Sequence, residues 1–505
     1  MALVKIKATD GTQITFDDKM IGQGGVKDVY FTEDRRHVVG FFRNKLDVYG
    51  KERLEHIVGK YRDSIFSQDG GEYWKNLFCW PEKIVEYNGK TGVLVPTYAQ
   101  EFFFTHGSST PVIDIKGREK EGKWFANPWH RYCNLDKREI GDWRSYLNIC
   151  LLISRAIRRM HAAGLSHSDL SYKNILIDPV SVKACIIDID GLVVPGKFPP
   201  DVVGTPDFIA PEVMQTLKLK ICDPAKKIPK RETDMHALAV LIYMYLLCRH
   251  PLRGKKVHDM NDENRDEELA MGEKALFVES DKDTSNRYDI KWVKKNEPAN
   301  RYPYIAPWMD LDKRPYTILG PYISQLVRQA LMDGLHNPSA RPSANDWEDA
   351  IVRTIDLLQP CQNPKCEQKW FVFDNTTKPI CPFCNTVYKG MMPVLNFYSK
   401  RGSSFKLDNH RLMVFNGTRI YPWHVNRNVF PNEKLKPDQK KAVAYFQFHN
   451  NFWYLVNQSI PKMIDITDNK KIIKPNEHIQ LTEGRQILLS EDEGGRLIQV
   501  QLVQN

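Results

Sequence analysis

The sequence predicts an α+β fold divided into several domains, and three observations carry that reading. Over residues 3–358, short apolar runs of strand length alternate with longer stretches whose apolar residues recur at helical spacing. Four cysteines then crowd into residues 361–384, as CQNPKC and CPFC on either side of an aromatic strand, KWFVF. Beyond residue 396 the apolar runs read as strands bounded by Asn, Gly, Pro and Asp turns, which predicts a C-terminal β-sandwich. A chain of 505 residues is too long for one core, so two to four domains are expected. The expected domains span 1–98, 99–358, 359–392 and 393–505, the last two set off by a change of composition after Leu358.

Taken in order, Leu3 to Phe16 alternate loosely and lead into IGQGGVKDVYF, Ile21 to Phe31, which reads as strand, glycine turn, strand. HVVGFFR, His37 to Arg43, is the next strand. KERLEHIVGKYR, Lys51 to Arg62, places Leu54, Ile57, Val58 and Tyr61 on one helical stripe that should face a sheet. Strands follow near Lys83 to Tyr87 and Gly92 to Tyr98, then an irregular excursion from His106 to Lys137. A helix from Asp142 to His161 ends in a polar turn that closes on the strand Ile175 to Ile177. After a further strand, Ala184 to Ile187, TDMHALAVLIYMYLL is a buried helix, and Arg253 to Tyr316 is charged and interrupted by prolines, as an insertion would be. The C-terminal strands are HRLMVF, AVAYFQF, FWYLVN, KIIK, HIQLTEG, QILLS and LIQVQLV.

Composition narrows the function classes. With 42% apolar and 27% charged residues the chain is that of a soluble globular protein. Its longest strongly apolar run, Leu238 to Cys248, is too short to span a bilayer, and MALVKIKATDG has no cleavable apolar core, so a cytoplasmic location without membrane partners is expected. The net charge of +10 is modest and spread along the chain, which allows nucleic acid without indicating it and suits acidic partners or phosphates equally. Six of the ten cysteines sit singly among apolar residues as buried thiols, whereas the remaining four form a cluster typical of a metal site in a reducing compartment.

The chemistry centres on HAAGLSHSDLSYKNILID, His161 to Asp178. Asp169 and Asn174 stand on a loop held between a helix and a strand, where a carboxylate can face a hydroxyl and an amide can face a metal. The stretch resembles the protein-kinase catalytic loop, H-R-D-L-x-x-x-N, with Ser168 in place of the arginine. Ser171 replaces the lysine that follows the aspartate in typical Ser/Thr kinases, and Lys173 lies where some tyrosine kinases carry an arginine. The resemblance implies a bilobal protein-kinase-like fold over residues 15–358, using ATP and Mg²⁺ to phosphorylate a protein substrate. It implies that Asp169 orients and deprotonates the substrate hydroxyl, that Asn174 and Asp188 hold metal, and that Lys173 neutralises charge on the phosphoryl group. In IDIDG, Asp188 takes the place of the aspartate of D-F-G. Asp190 stands in the glycine position, as a second metal contact or a turn residue.

Upstream, GQGGVKDVY is similar to the glycine-rich loop, with Gly22, Gly24 and Val29 on the pattern and Lys27 where the third glycine belongs. The resemblance puts Ile21 and Val29 over the adenine and Leu176 in the same nucleotide site. The following strand offers no lysine. If Gly40 fills the small-residue position of V-A-I-K, Phe42 stands where the lysine should be. With-No-Lysine kinases place their lysine in the glycine-rich loop at the same spacing, so Lys27 is the candidate for the phosphate lysine, with Arg43 and Lys45 as alternatives. Glu55, or else Glu52, would be the helix glutamate that pairs with it.

Downstream, GTPDFIAPE resembles the A-P-E segment that anchors a polypeptide-docking surface, and Thr205 resembles the threonine that touches the catalytic aspartate in Ser/Thr kinases. Thr205 is the only hydroxyl-bearing side chain between Asp188 and Glu212, which implies a kinase not controlled by loop phosphorylation. TDMHALAVLIYMYLL resembles the family's buried central helix, which implies that Asp234 binds catalytic-loop backbone, and NPSARPSANDW resembles the segment whose arginine, here Arg341, would pair with Glu212. Cys361, Cys366, Cys381 and Cys384 supply four thiolates for a closed tetrahedral Zn²⁺ site, two disulfides being the alternative; the segment resembles a zinc ribbon. The C-terminal strand order resembles forkhead-associated domains, which bind phosphothreonine. The whole set resembles bacterial kinases of tellurite-resistance and stress-associated loci, found beside phosphatase and von Willebrand-type partners. A pseudokinase scaffold working through its tail domains is the alternative reading, and a metabolite-phosphorylating enzyme is disfavoured by the A-P-E segment.

Overall fold

The alternating N-terminal residues form one six-stranded antiparallel sheet, β1 (Leu3–Lys7), β2 (Gln13–Gln23), β3 (Lys27–Thr32), β4 (His37–Phe42), β5 (Lys83–Tyr87) and β6 (Lys90–Pro96), in the order β1-β2-β3-β4-β6-β5. The two-residue period of the strands divides their side chains between two faces. Ile6, Ile14, Phe16, Val39, Phe41 and Val85 share the core on one face. On the other, Ile84, Val93 and Phe42 gather around Leu54 from the helix Val48–His56, which is capped by Asp47 through the amide of Gly50. Lys27 is the cross-strand partner of Phe42, and Val29 that of Gly40, so the lysine of the glycine-loop motif emerges on the helix-facing side.

This computed structural model describes residues 2–504 apart from 24–25, 68–69, 109–113, 195–196, 198–203, 221 and 374–377. Gly24, expected in the nucleotide loop, lies outside the described residues. Two compact units emerge: Met1–Gly141 with Ser145–Tyr316 and Gln325–Glu348, and Asp142–Arg144 with Thr317–Ser324 and Asp349–Asn505. Among the described residues no helix is long and apolar enough to cross a membrane.

In the first unit, the helix Arg231–Leu247 is buried along its length from Thr233 onward, as its lack of a polar face requires. Trp143–Ala162 is amphipathic instead, burying Tyr146, Leu147, Cys150, Ile153, Ile157 and Met160 at intervals of one, three and four residues. The polar turn after it runs into the hairpin β7 (Ile175–Asp178) and β8 (Lys183–Ile186). The expected insertion carries helices at Glu263–Met271, Ile290–Asn296 and Tyr302–Met309, and its Arg253 donates from Nε to Asp207 Oδ1 at 2.6 Å. The irregular excursion is pinned by Lys120, buried between Glu139 and Asp178 at 2.7 Å from each.

The second unit combines the cysteine segment with the C-terminal strands. Cys361 and Cys366 lie between the strands of a short antiparallel pair, β9 (Leu358–Pro360) and β10 (Trp370–Val372), and Cys381 and Cys384 follow it. The chain then builds a six-stranded and a four-stranded sheet whose inner faces share one apolar cluster, including Phe397, Val500, Phe446 and Leu455. One long strand in it, β11 (Met391–Arg401), is absent from the sequence reading. Its first half is buried on both sides, so it shows no alternation, and Pro393 interrupts it. The boundary expected between residues 392 and 393 falls inside this strand. Phe373 shares a cluster with Met392, Val394, Met413 and Val503, which gives the cysteine segment and the sheets a common core.

Candidate active site

The turn after Trp143–Ala162 is held by its own polar groups. Asp234, inside the buried helix, accepts at Oδ2 from the backbone N–H of His167 at 2.9 Å and lies 3.0 Å from His161 Nε2. His167 Nε2 lies 3.0 Å from the carbonyl of Ile187, and the amide of Ile187 donates to the carbonyl of Asn174 at 3.0 Å. These bonds tie the loop bearing Asp169 and Asn174 to the segment bearing Asp188. A buried loop must satisfy its backbone groups in this way.

Asp169 is oriented on both oxygens. Its Oδ1 accepts from the amide and hydroxyl of Thr205 at 2.7 and 2.9 Å, and its Oδ2 accepts from Asn174 Nδ2 at 2.9 Å. Asn174 Nδ2 also donates to the Asp169 carbonyl at 2.8 Å, which leaves Oδ1 as the atom able to face a metal. Ser171 Oγ lies 3.3 Å from the Thr205 hydroxyl, in the position where a lysine was missing from the motif. Lys173 is exposed. Ser168 and Asp188 both adopt left-handed backbone, at φ 63° and 61°, the polar turn geometry that aspartate tolerates better than most residues.

The structure brings Lys27 to the IDIDG segment. Lys27 Nζ lies 2.6 and 2.8 Å from the two oxygens of Asp190 and 3.2 Å from Asp188 Oδ1. Burial opposes charging this lysine, but the Asp190 and Asp188 carboxylates outweigh it and hold the ammonium above its ordinary value. Phe42, which occupies the expected lysine position, puts its ring 5.5 Å from Nζ. The Lys27 stem crosses over Gly40, where an added Cβ would stand 3.5 Å from Lys27 Cδ, in ordinary van der Waals contact.

Glu55 requires a correction. It is exposed and forms no ion pair with Lys27, while Glu52 pairs with Lys197 at 3.0 Å. The buried face of that helix carries Gly50, Arg53 and Leu54. The signal was present in the periodicity, because Arg53 stands four residues before Ile57 on the apolar stripe and Glu55 does not. Of the remaining predicted nucleotide residues, Ile21 is exposed, Gly22 pairs across the strand with Val29, and Leu176 is fully buried in a cluster with Phe102, Val95 and Tyr98. Nothing in the motifs signalled Phe42 or Asp190 as partners of Lys27.

The segment Ala210 to Glu212 is braced by a buried arginine. Arg341, fully buried, donates to both oxygens of Glu212 at 2.8 Å and to the carbonyls of Gly334, Glu232 and Leu335. Replacing Glu212 with glutamine strands that guanidinium, and the urea transition should shift by about 3 kcal/mol toward the unfolded state. A shift below about 0.5 kcal/mol would show that the pair bears no weight.

The four clustered cysteines are all free thiols, and their Sγ atoms lie within 4.8 Å of one another. Cys361 and Cys384 are 3.5 Å apart and Cys366 and Cys381 3.9 Å. A tetrahedron with Zn–S bonds of about 2.3 Å has edges of about 3.8 Å, so the donor set fits a closed zinc site.

Residues 131–349 match the protein kinase domain family. Asp169, Asn174, Asp188, Asp190, Glu212 and Arg341 lie inside that match, and Lys27 and Arg53 before it. A stretch of 153 residues is 30% identical to serine/threonine-protein kinase PknD of Chlamydia abortus, covering 25% of this chain and 15% of that one. Over 170 residues the chain is 28% identical to death-associated protein kinase dapk-1 of Caenorhabditis elegans, covering 33% and 10% respectively. Over 112 residues it is 30% identical to serine/threonine-protein kinase D3 of Homo sapiens, covering 21% and 11%. The chain therefore spans 15% or less of the length of each of these relatives.

Proposed function

Since the chain carries a domain of the protein kinase superfamily, we propose that it is an active protein kinase that transfers the γ-phosphoryl group of ATP to a serine or threonine hydroxyl of a protein substrate. The observation that carries this reading is the Asp169 carboxylate, held on one oxygen by Thr205 and on the other by Asn174. A side chain fixed by three donors is preorganised to orient a hydroxyl and accept its proton as the new O–P bond forms and the bond to the β-phosphate breaks. Mg²⁺ neutralises charge on the phosphates; Asn174 Oδ1 and the half-exposed Asp188 would hold it. Lys27 would grip the α- and β-phosphates, and Lys173 would offset charge on the transferring group. Ile21, Gly22, Val29 and Leu176 would line the nucleotide site.

The touch of Thr205 on Asp169 supports a Ser/Thr preference, and it engages the one loop hydroxyl, which supports activity without loop phosphorylation. Zinc at Cys361, Cys366, Cys381 and Cys384 would be structural. A phosphopeptide-binding role for the C-terminal sheets, and phosphatase or von Willebrand-type partners, rest on family resemblance alone.

The test is transfer of labelled γ-phosphate from Mg-ATP, to the protein itself and to a generic basic protein. Lys27→Ala should lower kcat/KM for ATP by about 10²-fold, through loss of a charge aimed at the phosphates. No incorporation by the wild type despite measurable ATP binding would favour the scaffold reading.

A further inference from the structure

A lysine that grips phosphates needs a carboxylate to hold its position, and the helix facing it cannot supply one. Helical periodicity turns Gly50, Arg53, Leu54 and Ile57 inward, so the ionic group presented toward the sheet is a guanidinium, 5% exposed. The acid comes from elsewhere in the chain. It is Asp190, whose side chain is 8% exposed and whose two oxygens lie 2.6 and 2.8 Å from Lys27 Nζ. Asp188, two residues earlier, is 54% exposed and makes only the longer 3.2 Å contact. The two carboxylates of IDIDG are therefore unequal: one is buried and committed to the lysine, and the other is accessible to metal.

We propose that Asp190 is the positioning carboxylate for Lys27, supplying from the metal-binding segment what a helix glutamate would otherwise supply. This rests on the kinase reading. Its consequence is that the phosphate lysine and the metal-binding aspartate are located by one short segment. Setting one sets the other, and Glu55 on the helix has no part in either.

The experiment compares the full-length wild type with Asp190→Asn, Asp190→Glu, Lys27→Met and the Asp190→Asn/Lys27→Met double variant. It reads kcat and KM for ATP, the Mg²⁺ dependence of transfer, and binding of a fluorescent ATP analogue. Asp190→Asn should lower kcat/KM for ATP by about 10²-fold with the Mg²⁺ half-saturation unchanged within about twofold. Asp190→Glu should recover part of that loss, and the double variant should be no worse than Lys27→Met, because both substitutions break one pair. Should Asp190→Asn fail to fold, Asp190→Glu provides the test: its kcat/KM for ATP should stay below the wild type with the same Mg²⁺ dependence. A wild-type kcat/KM in Asp190→Asn or in Asp190→Glu, additive losses in the double variant, or a raised Mg²⁺ requirement in Asp190→Asn would each overturn the proposal, the last by making Asp190 a metal ligand. A wild type that binds no ATP would instead defeat the kinase reading beneath it.

Discussion

Asp169→Asn is expected to slow phosphoryl transfer on the order of 10³-fold while leaving the affinity for Mg-ATP near that of the wild type. The carboxylate receives donors on both sides: the Thr205 amide and hydroxyl at Oδ1, and Asn174 Nδ2 at Oδ2. An amide of the same shape offers one oxygen and one NH₂, so a donor must face a donor at one of these contacts. The substitution therefore removes the proton acceptor and also loosens the loop, at a cost of about 1–3 kcal/mol in stability. Single-turnover transfer separates the chemical step from nucleotide binding. A wild-type rate in this variant would remove Asp169 from the reaction and with it the reading of the loop as catalytic.

Loss of metal from the cysteine cluster should produce the largest structural effect. Between residues 358 and 388 the regular structure includes two three-residue strands, too little to fold without help. Cys381 and Cys366 are buried with Phe371, and the other two thiols lie beside them at distances that match a tetrahedral ion. Structural zinc contributes about 10–16 kcal/mol in isolated finger peptides, far more than this segment could gain from its own apolar burial. The purified wild type is expected to hold a single zinc ion per chain. Cys381→Ser, or stripping with a strong chelator, should release it and open residues 361–388 to limited proteolysis. The result against this is a metal-free wild type whose four cysteines resist alkylation until reduced, which would mean two disulfides.

How much of the site could be read in advance depends on the range of the contact. Asp169 and Asn174 share one short loop and Asp188 follows the hairpin β7–β8 that returns to it, so their spacing reports their proximity, and the structure ties their segments through Asn174 and Ile187. Thr205, Asp234 and Arg341 were legible only because the motifs around them resemble a known family; their bonds to Asp169, the His167 amide and Glu212 span many residues. Glu55 was misread because an acidic residue near the right place was preferred to the helical face it occupies. The strand Met391–Arg401 was missed because a segment buried on both sides loses the alternation that marks a half-buried strand.

By itself the sequence determined the order of elements in residues 15–358, the residue types of the loop between His161 and Asp178, a lysine just after the glycines of residues 22–25, and four thiols at metal-ligand spacing. Each of these is a local pattern, written in periodicity or in the distance between neighbours along the chain. Only the tertiary structure decided what Lys27 meets. Its partners are Asp190, Asp188 and the ring of Phe42, and Lys27 is separated from Asp190 by 163 residues. The choice between two nearby aspartates, and between an arginine and a glutamate two positions apart, depends on which side chain is turned into the buried space. That is set by how sheet, helix and hairpin come together, and no short stretch of sequence carries it.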